Sequence, residues 1–102
     1  MKVVWSDEAT RSLREIAAYI GKDSPMTARR VAAQLLLRSR QLQEPPLTGR
    51  SLPEYPGEDL RELLERPWRI IYRVGPDAIE IVTVRHYRQL LPNSPADLLN
   101  PA

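Results

Sequence analysis

Residues 67–86 read PWRIIYRVGPDAIEIVTVRH, and this stretch decides the fold. Trp68–Val74 and residues 79–84 are rich in aromatic and β-branched side chains, which suit a pleated, half-buried surface. Between them, Gly75, Pro76, Asp77 and Ala78 supply turn chemistry. Glycine tolerates positive φ, proline pre-sets its own φ and aspartate bonds nearby backbone. Pairing Val74 with Ile79 sets Tyr72 opposite Ile81 and Ile70 opposite Thr83, and with Trp68 these residues form one apolar face. The other face then carries Arg69, Ile71 and Arg73 beside Glu80, Val82 and Val84. Arg73 falls across from Glu80, an opposite-charge pair that supports the register. The hairpin therefore has a core side and an arginine side, and His86 leaves the sheet on the arginine side. On this reading Tyr72→Ala costs roughly 3 kcal/mol, as for a large buried side chain, and Arg69→Ala far less.

Working outward toward the N-terminus, Lys2–Trp5 is a short apolar run that reads as a first strand. Ser6 is placed as an N-cap, with Asp7 and Glu8 in the first turn where carboxylates complement the helix dipole. Ala9, Leu13, Ile16, Ala17 and Ile20 recur on one face of an amphipathic helix that ends near Gly21. Ser24 and Pro25 open a second helix, the serine capping and the proline filling the first turn. Its inner face is Ala28, Val31, Ala32, Leu35, Ser39 and Leu42. Leu36 and Leu37 widen that stripe, and Arg29, Arg30, Arg38 and Arg40 lie along the polar side. Two helices joined so closely form an antiparallel hairpin.

Residues 44–59 hold four of the ten prolines and two of the four glycines, and read as a connecting loop. Leu60–Glu65 alternates apolar and charged residues, a strand hairpinned onto Trp68–Val74. From residue 92 the chain reads as a loose tail with one helical turn around residues 96–99. The order β-α-α-β-β-β predicts an α+β fold, a helical hairpin packed on a largely antiparallel sheet. At 102 residues, 1–102 is a single domain.

Composition removes several chemistries. There is no cysteine, and the one histidine excludes a multi-histidine metal site, so neither metal nor cofactor is expected. No apolar run is long enough to span a bilayer and no signal-peptide core is present, which predicts a cytoplasmic protein. A net charge of +2 is ordinary for a soluble surface. No glycine-rich phosphate loop or nucleophile elbow occurs. What remains is a basic, hydrogen-bonding group: Arg61, Arg69, Arg73, Arg85, His86, Tyr87 and Arg88. Arginine forks bind phosphate, and a histidine or tyrosine can move the proton of an RNA 2′-hydroxyl. Each also has a plain structural reading: Arg73 pairs with Glu80, and His86 closes the sheet by bonding backbone.

The opening KVVWSDEA, then LREIAAYI, SPMTARRVA, PPLTGR and RELLERPWRIIYRVGPDAIEIVTVRHYRQLLP occur in an order and spacing that resembles the RelE/ParE superfamily of bacterial type II toxins, over nearly the whole chain. The resemblance implies a small toxin silenced by a cognate antitoxin that wraps it, with operator DNA reached only through that antitoxin. It implies one of two activities on one fold. ParE-like members inhibit DNA gyrase, in which case the chain is not an enzyme. RelE-like members cut messenger RNA on the ribosome, and the catalytic candidates are then Arg69, Arg85, His86 and Tyr87. The YRVG turn, the IEIVTVRH strand and RQLLP look more like the ParE branch, as does the lack of lysine in the loop before Leu60. The target-binding candidates are Arg61, Arg69, Arg73 and Arg88. Leu36, Leu37, Leu98 and Leu99 offer apolar surface for the antitoxin. An inactive relative that only binds an antitoxin is the third possibility.

Overall fold

The computed structural model describes residues 1–44 and 48–100. Residues 45–47 of the expected connecting loop and 101–102 of the expected tail lie outside the described residues. The chain runs β1 (Lys2–Trp5), α1 (Asp7–Gly21), α2 (Pro25–Arg40), a single 3-10 turn (Gln41–Gln43), β2 (Arg50–Ser51), β3 (Leu60–Glu65), β4 (Trp68–Val74), β5 (Ala78–His86) and α3 (Pro95–Leu99). The five strands form one sheet in the order β1-β5-β4-β3-β2. Among the described residues only the β1–β5 pairing is parallel. The α+β reading holds, with a two-residue strand, β2, added inside the loop.

Local chemistry accounts for the helices. Ser6 caps α1 by accepting the Ala9 N–H at 3.0 Å, and Asp7 and Glu8 occupy its first turn. Ser24 caps α2 by accepting the Thr27 N–H at 3.1 Å, with Pro25 in the first turn. Both helices lie on one face of the sheet. There Ala9, Leu35 and Leu42 meet Leu63, Ile70, Tyr72, Ile79, Ile81 and Val84, flanked by Trp5, Leu13, Ile16, Val31 and Trp68. Each fully buried Ile or Leu contributes roughly 1.5–3 kcal/mol. The Tyr72 hydroxyl, which burial pushes above the ordinary tyrosine range, accepts the Gly49 N–H at 2.9 Å. Gly49 has to be glycine: a Cβ there would lie 2.2 Å from the Glu62 carbonyl oxygen and 2.7 Å from the Tyr72 hydroxyl.

The β4–β5 register departs from the expectation halfway along. Val74 pairs with Ile79, Arg73 with Glu80 and Tyr72 with Ile81, as the turn dictates. Beyond that the strands shift by one: Ile71 pairs with Thr83, Ile70 with Val84, Arg69 with Arg85 and Trp68 with His86. Val82 is the extra residue of a β-bulge, and a bulge of one reverses which face the following side chains take. Val84 therefore joins the helix-side core, against the expectation that placed it among the arginines. His86 likewise leaves the sheet on the helix side, edge-on to Trp68 with ring centroids 5.3 Å apart.

The other face is not an arginine surface either. It is a second core of Leu52, Tyr55, Leu60, Ile71, Val82 and Leu98, closed by Leu91 and Leu99. The loop before β3 and the C-terminal segment cover it. The Tyr55 hydroxyl donates to the Pro92 carbonyl at 2.6 Å, and Leu98 of α3 is completely buried. The segment expected to be a loose tail is thus docked as far as residue 100.

Candidate functional site

The candidate residues gather where β4 begins and β5 ends. Residues 65–68 turn β3 back into β4 through a cis Arg66-Pro67 bond, and Tyr87 leaves β5 with its N–H donated to the Pro67 carbonyl at 2.9 Å. Trp68 sits between two clefts. On the helix side it shares a cleft with Glu8, Arg11, Ile16, Tyr19, Arg85 and His86. On the opposite side it borders an open groove of about 770 Å³ with Arg50, Pro53, Glu54, Leu64, Arg66, Pro67, Arg69 and Tyr87.

Arg69 borders that groove, and it is held on three sides by carboxylate bonds. It is 6% exposed. Its Nη1 and Nη2 donate to the two carboxylate oxygens of Glu54 at 2.7 and 2.9 Å, and its Nε donates to Glu62 at 2.5 Å. Glu62, also buried, accepts a further hydrogen bond from Arg50 at 2.6 Å. The two carboxylates neutralise the guanidinium and hold its pKa above the ordinary arginine value, chiefly through the fork to Glu54 and against the opposing effect of burial. The same bonds hold the Glu54 carboxyl below its usual range. Neither carboxylate figured in the sequence reading. Glu62 was within reach of it: β3 and β4 pair Glu62 with Ile71 and Leu64 with Arg69, so Glu62 and Arg69 are diagonal neighbours on one face. Glu54 arrives from a loop whose path no periodicity encodes.

The remaining candidates divide. Arg61 donates to the Gly49 carbonyl at 3.0 Å, and Arg73 pairs with Glu80 at 3.0 Å, the cross-strand contact expected. Arg85 donates to the Thr83 hydroxyl at 3.3 Å, beside the Ser12 hydroxyl and Glu8 of α1. His86 accepts the backbone N–H of Arg88 at Nδ1, 3.1 Å away, so the proton of the neutral ring resides on Nε2. Its ring stacks on Tyr87 at 4.7 Å, and Arg88 also lies over Tyr87, 5.4 Å from the ring centroid, while donating to the Tyr87 hydroxyl at 3.1 Å. The structure thus brings half-buried His86 and exposed Tyr87 and Arg88 into one stack beside Trp68. It leaves Arg61 and Arg73 elsewhere on the sheet.

Of the apolar candidates, Leu36 and Leu37 are 38% and 60% exposed on α2. Leu98 is fully buried in the second core, which corrects its expected role as spare surface, and Leu99 is half-buried against the same core. Among the described residues no group of three or more His, Cys, Asp or Glu side chains is placed to hold a metal. No helix among them is long and apolar enough to cross a membrane.

The sequence profile of the family described as ParE toxin of type II toxin-antitoxin system, parDE, matches residues 3–91. The chain belongs to the ParE toxin family. It is a type II toxin-antitoxin toxin of the ParE/RelE superfamily. Its relatives span both branch names. A putative toxin of Sinorhizobium fredii, Y4kP, is 40% identical over 95 residues, covering 89% of this chain and 93% of that protein. Toxin RelE2 of Caulobacter vibrioides is 37% identical over 90 residues, covering 87% and 98%. Among solved structures, the chromosomal ParDE toxin-antitoxin system from P. aeruginosa superposes with a TM-score of 0.71 at 25% identity, covering 84% of this chain and 95% of that one. The toxin-antitoxin complex RelBE2 from Mycobacterium tuberculosis, at a TM-score of 0.60 and 21% identity over 83% and 88%, shares the fold. This ParE-family toxin therefore carries the superfamily's sheet and helical hairpin, with a buried polar network closed around Arg69.

Proposed function

We propose that this toxin inhibits DNA gyrase by protein–protein contact, acts in the cytoplasm and is silenced by a cognate antitoxin. The observation that carries the reading is the state of the two groups a nuclease needs most. Cleavage of RNA requires a cation to neutralise the phosphate and a base beside the 2′-hydroxyl. Arg69 is buried between Glu54 and Glu62, and the lone pair of His86 Nδ1 is occupied by the Arg88 N–H. Neither arrangement hinders binding to a protein. The family match to ParE toxins points the same way. Of the target-binding candidates Arg61, Arg69, Arg73 and Arg88, the one stacked on exposed Tyr87 is Arg88. Leu36 and Leu37 remain the apolar surface for an antitoxin helix, and operator DNA is reached only through that antitoxin.

The second reading, a ribosome-dependent messenger RNA endonuclease, is favoured by the similarity to Toxin RelE2. The test is to induce the toxin without its antitoxin and to assay the purified protein. Gyrase inhibition predicts filamented cells, a DNA-damage response with bulk messenger RNA intact, and blocked supercoiling without ribosomes. Messages cut within codons on the ribosome, with cutting lost in His86→Ala, would establish the nuclease instead. Unimpaired growth with no effect in either assay marks an inactive antitoxin-binding relative.

A further inference from the structure

The open groove beside Trp68 is not used by anything described so far. We infer that it is a docking site for a peptide segment of a partner protein, one carrying an aromatic or leucine side chain flanked by carboxylates. The inference goes beyond the gyrase reading and does not depend on which target the toxin acts upon.

The floor of the groove is apolar. Leu64, Pro53, Pro67, Trp68 and Tyr87 line it, and Leu64 and Tyr87 are 37% and 52% exposed. Its volume of about 770 Å³ is ample for a large side chain and its flanking backbone. Trp, Tyr and Arg are the residues that most often carry binding energy at protein interfaces, and all three meet here. The rim decides the charge of the occupant. Glu54 borders the groove, but its carboxylate is spent on Arg69. Arg66 is exposed and, among the described residues, has no hydrogen-bond or ion-pair partner. Arg50 keeps a 65% exposed side chain although its Nε is bonded to Glu62, and Arg88 lies over the ring of the lining residue Tyr87. An apolar floor under a cationic rim is complementary to an apolar anchor with acidic neighbours. A single strand of nucleic acid fits less well. It needs a track of several free cations along successive phosphates, whereas the groove offers Arg66, without a partner among the described residues, and the part-engaged Arg50, enough for a carboxylate or two beside an apolar anchor.

The test is selection of a random heptapeptide display library on the full chain without antitoxin, followed by titration of a synthesised winner. The expected outcome is enrichment of peptides with one aromatic or leucine residue beside Asp or Glu. Binding of the winner should weaken by about tenfold or more in Arg66→Glu and in Leu64→Ser, both with unchanged melting temperature, and should be unaffected by Arg29→Glu on α2. No enrichment, enrichment without acidic residues, or equal affinity for all variants would overturn the inference. So would an octamer of oligodeoxythymidine that binds tighter than the peptide and loses affinity in Arg66→Glu. Gyrase supercoiling assayed separately keeps the fate of the functional reading distinct.

Discussion

A buried arginine is an expensive residue unless its partners are complete, and Arg69 shows the consequence. Removing one member of a buried ion pair leaves the other charge uncompensated, at about 3–5 kcal/mol. Arg69→Ala strips Glu62, itself 1% exposed, of its buried partner. The expected loss in a chemical denaturation curve is therefore about 3–5 kcal/mol, comparable to Tyr72→Ala. The sequence reading expected a much smaller cost, because it took Arg69 for a surface group. The pH dependence follows with its sign. Glu54 has a folded pKa lowered by its bonds to Arg69, so its contribution is complete above the unfolded value of about 4.3 and is lost as the pH falls through the folded value. The melting temperature should fall on acidification below about pH 4.3, and the fall should be smaller in Glu54→Gln. An identical acid profile in the variant would contradict the pairing. At this scale the sequence revealed the N-caps Ser6 and Ser24 and the Arg73–Glu80 pair, because each depends on neighbours fixed by helix or turn geometry. It concealed Glu54, which reaches Arg69 from an irregular loop.

Among the elements, β5 decides which residues meet. Its bulge at Val82 was invisible in the sequence, since IEIVTVRH is β-branched on both faces and alternation gives no sign of one extra residue. That composition is itself explained by burial on both sides of the sheet. The bulge is held by α1. The Ser6 hydroxyl donates to the Val82 carbonyl at 2.9 Å while it accepts the Ala9 N–H, and the Ser6 N–H donates to the Ile81 carbonyl at 3.0 Å. Ser6→Ala should therefore cost about 1–2 kcal/mol, the upper part of the range for an N-cap. Amide hydrogen exchange should rise at Ala9 and around Val82 together. A rise confined to α1 would show that the cap and the bulge are independent.

For the whole molecule, the sheet has two cores rather than one, and the C-terminal helix closes the second. Leu98→Ala should cost about 2–5 kcal/mol, as for a buried leucine, and a melting temperature unchanged from the parent would show that α3 does not contribute to the fold. The helical hairpin and the β3–β4–β5 strands were legible because period 3.6 and period 2 are strong signals over such lengths, whereas the place of β1 beside β5 was not. A five-residue helix set among prolines carries almost no such signal, so its docking was not. The parallel pairing of β1 with β5 bears on how the toxin is made. Val3 and Trp5 leave the ribosome before the helical hairpin, yet the strand they pair with follows every other strand of the sheet. At the ordinary pace of about 5–20 residues per second, the helical hairpin waits several seconds with no sheet beneath it. A chain terminated before Ala78 lacks the strand that joins β1 to β4. Abandoned copies therefore have no complete sheet, and the folded toxin forms only once β5 has been translated.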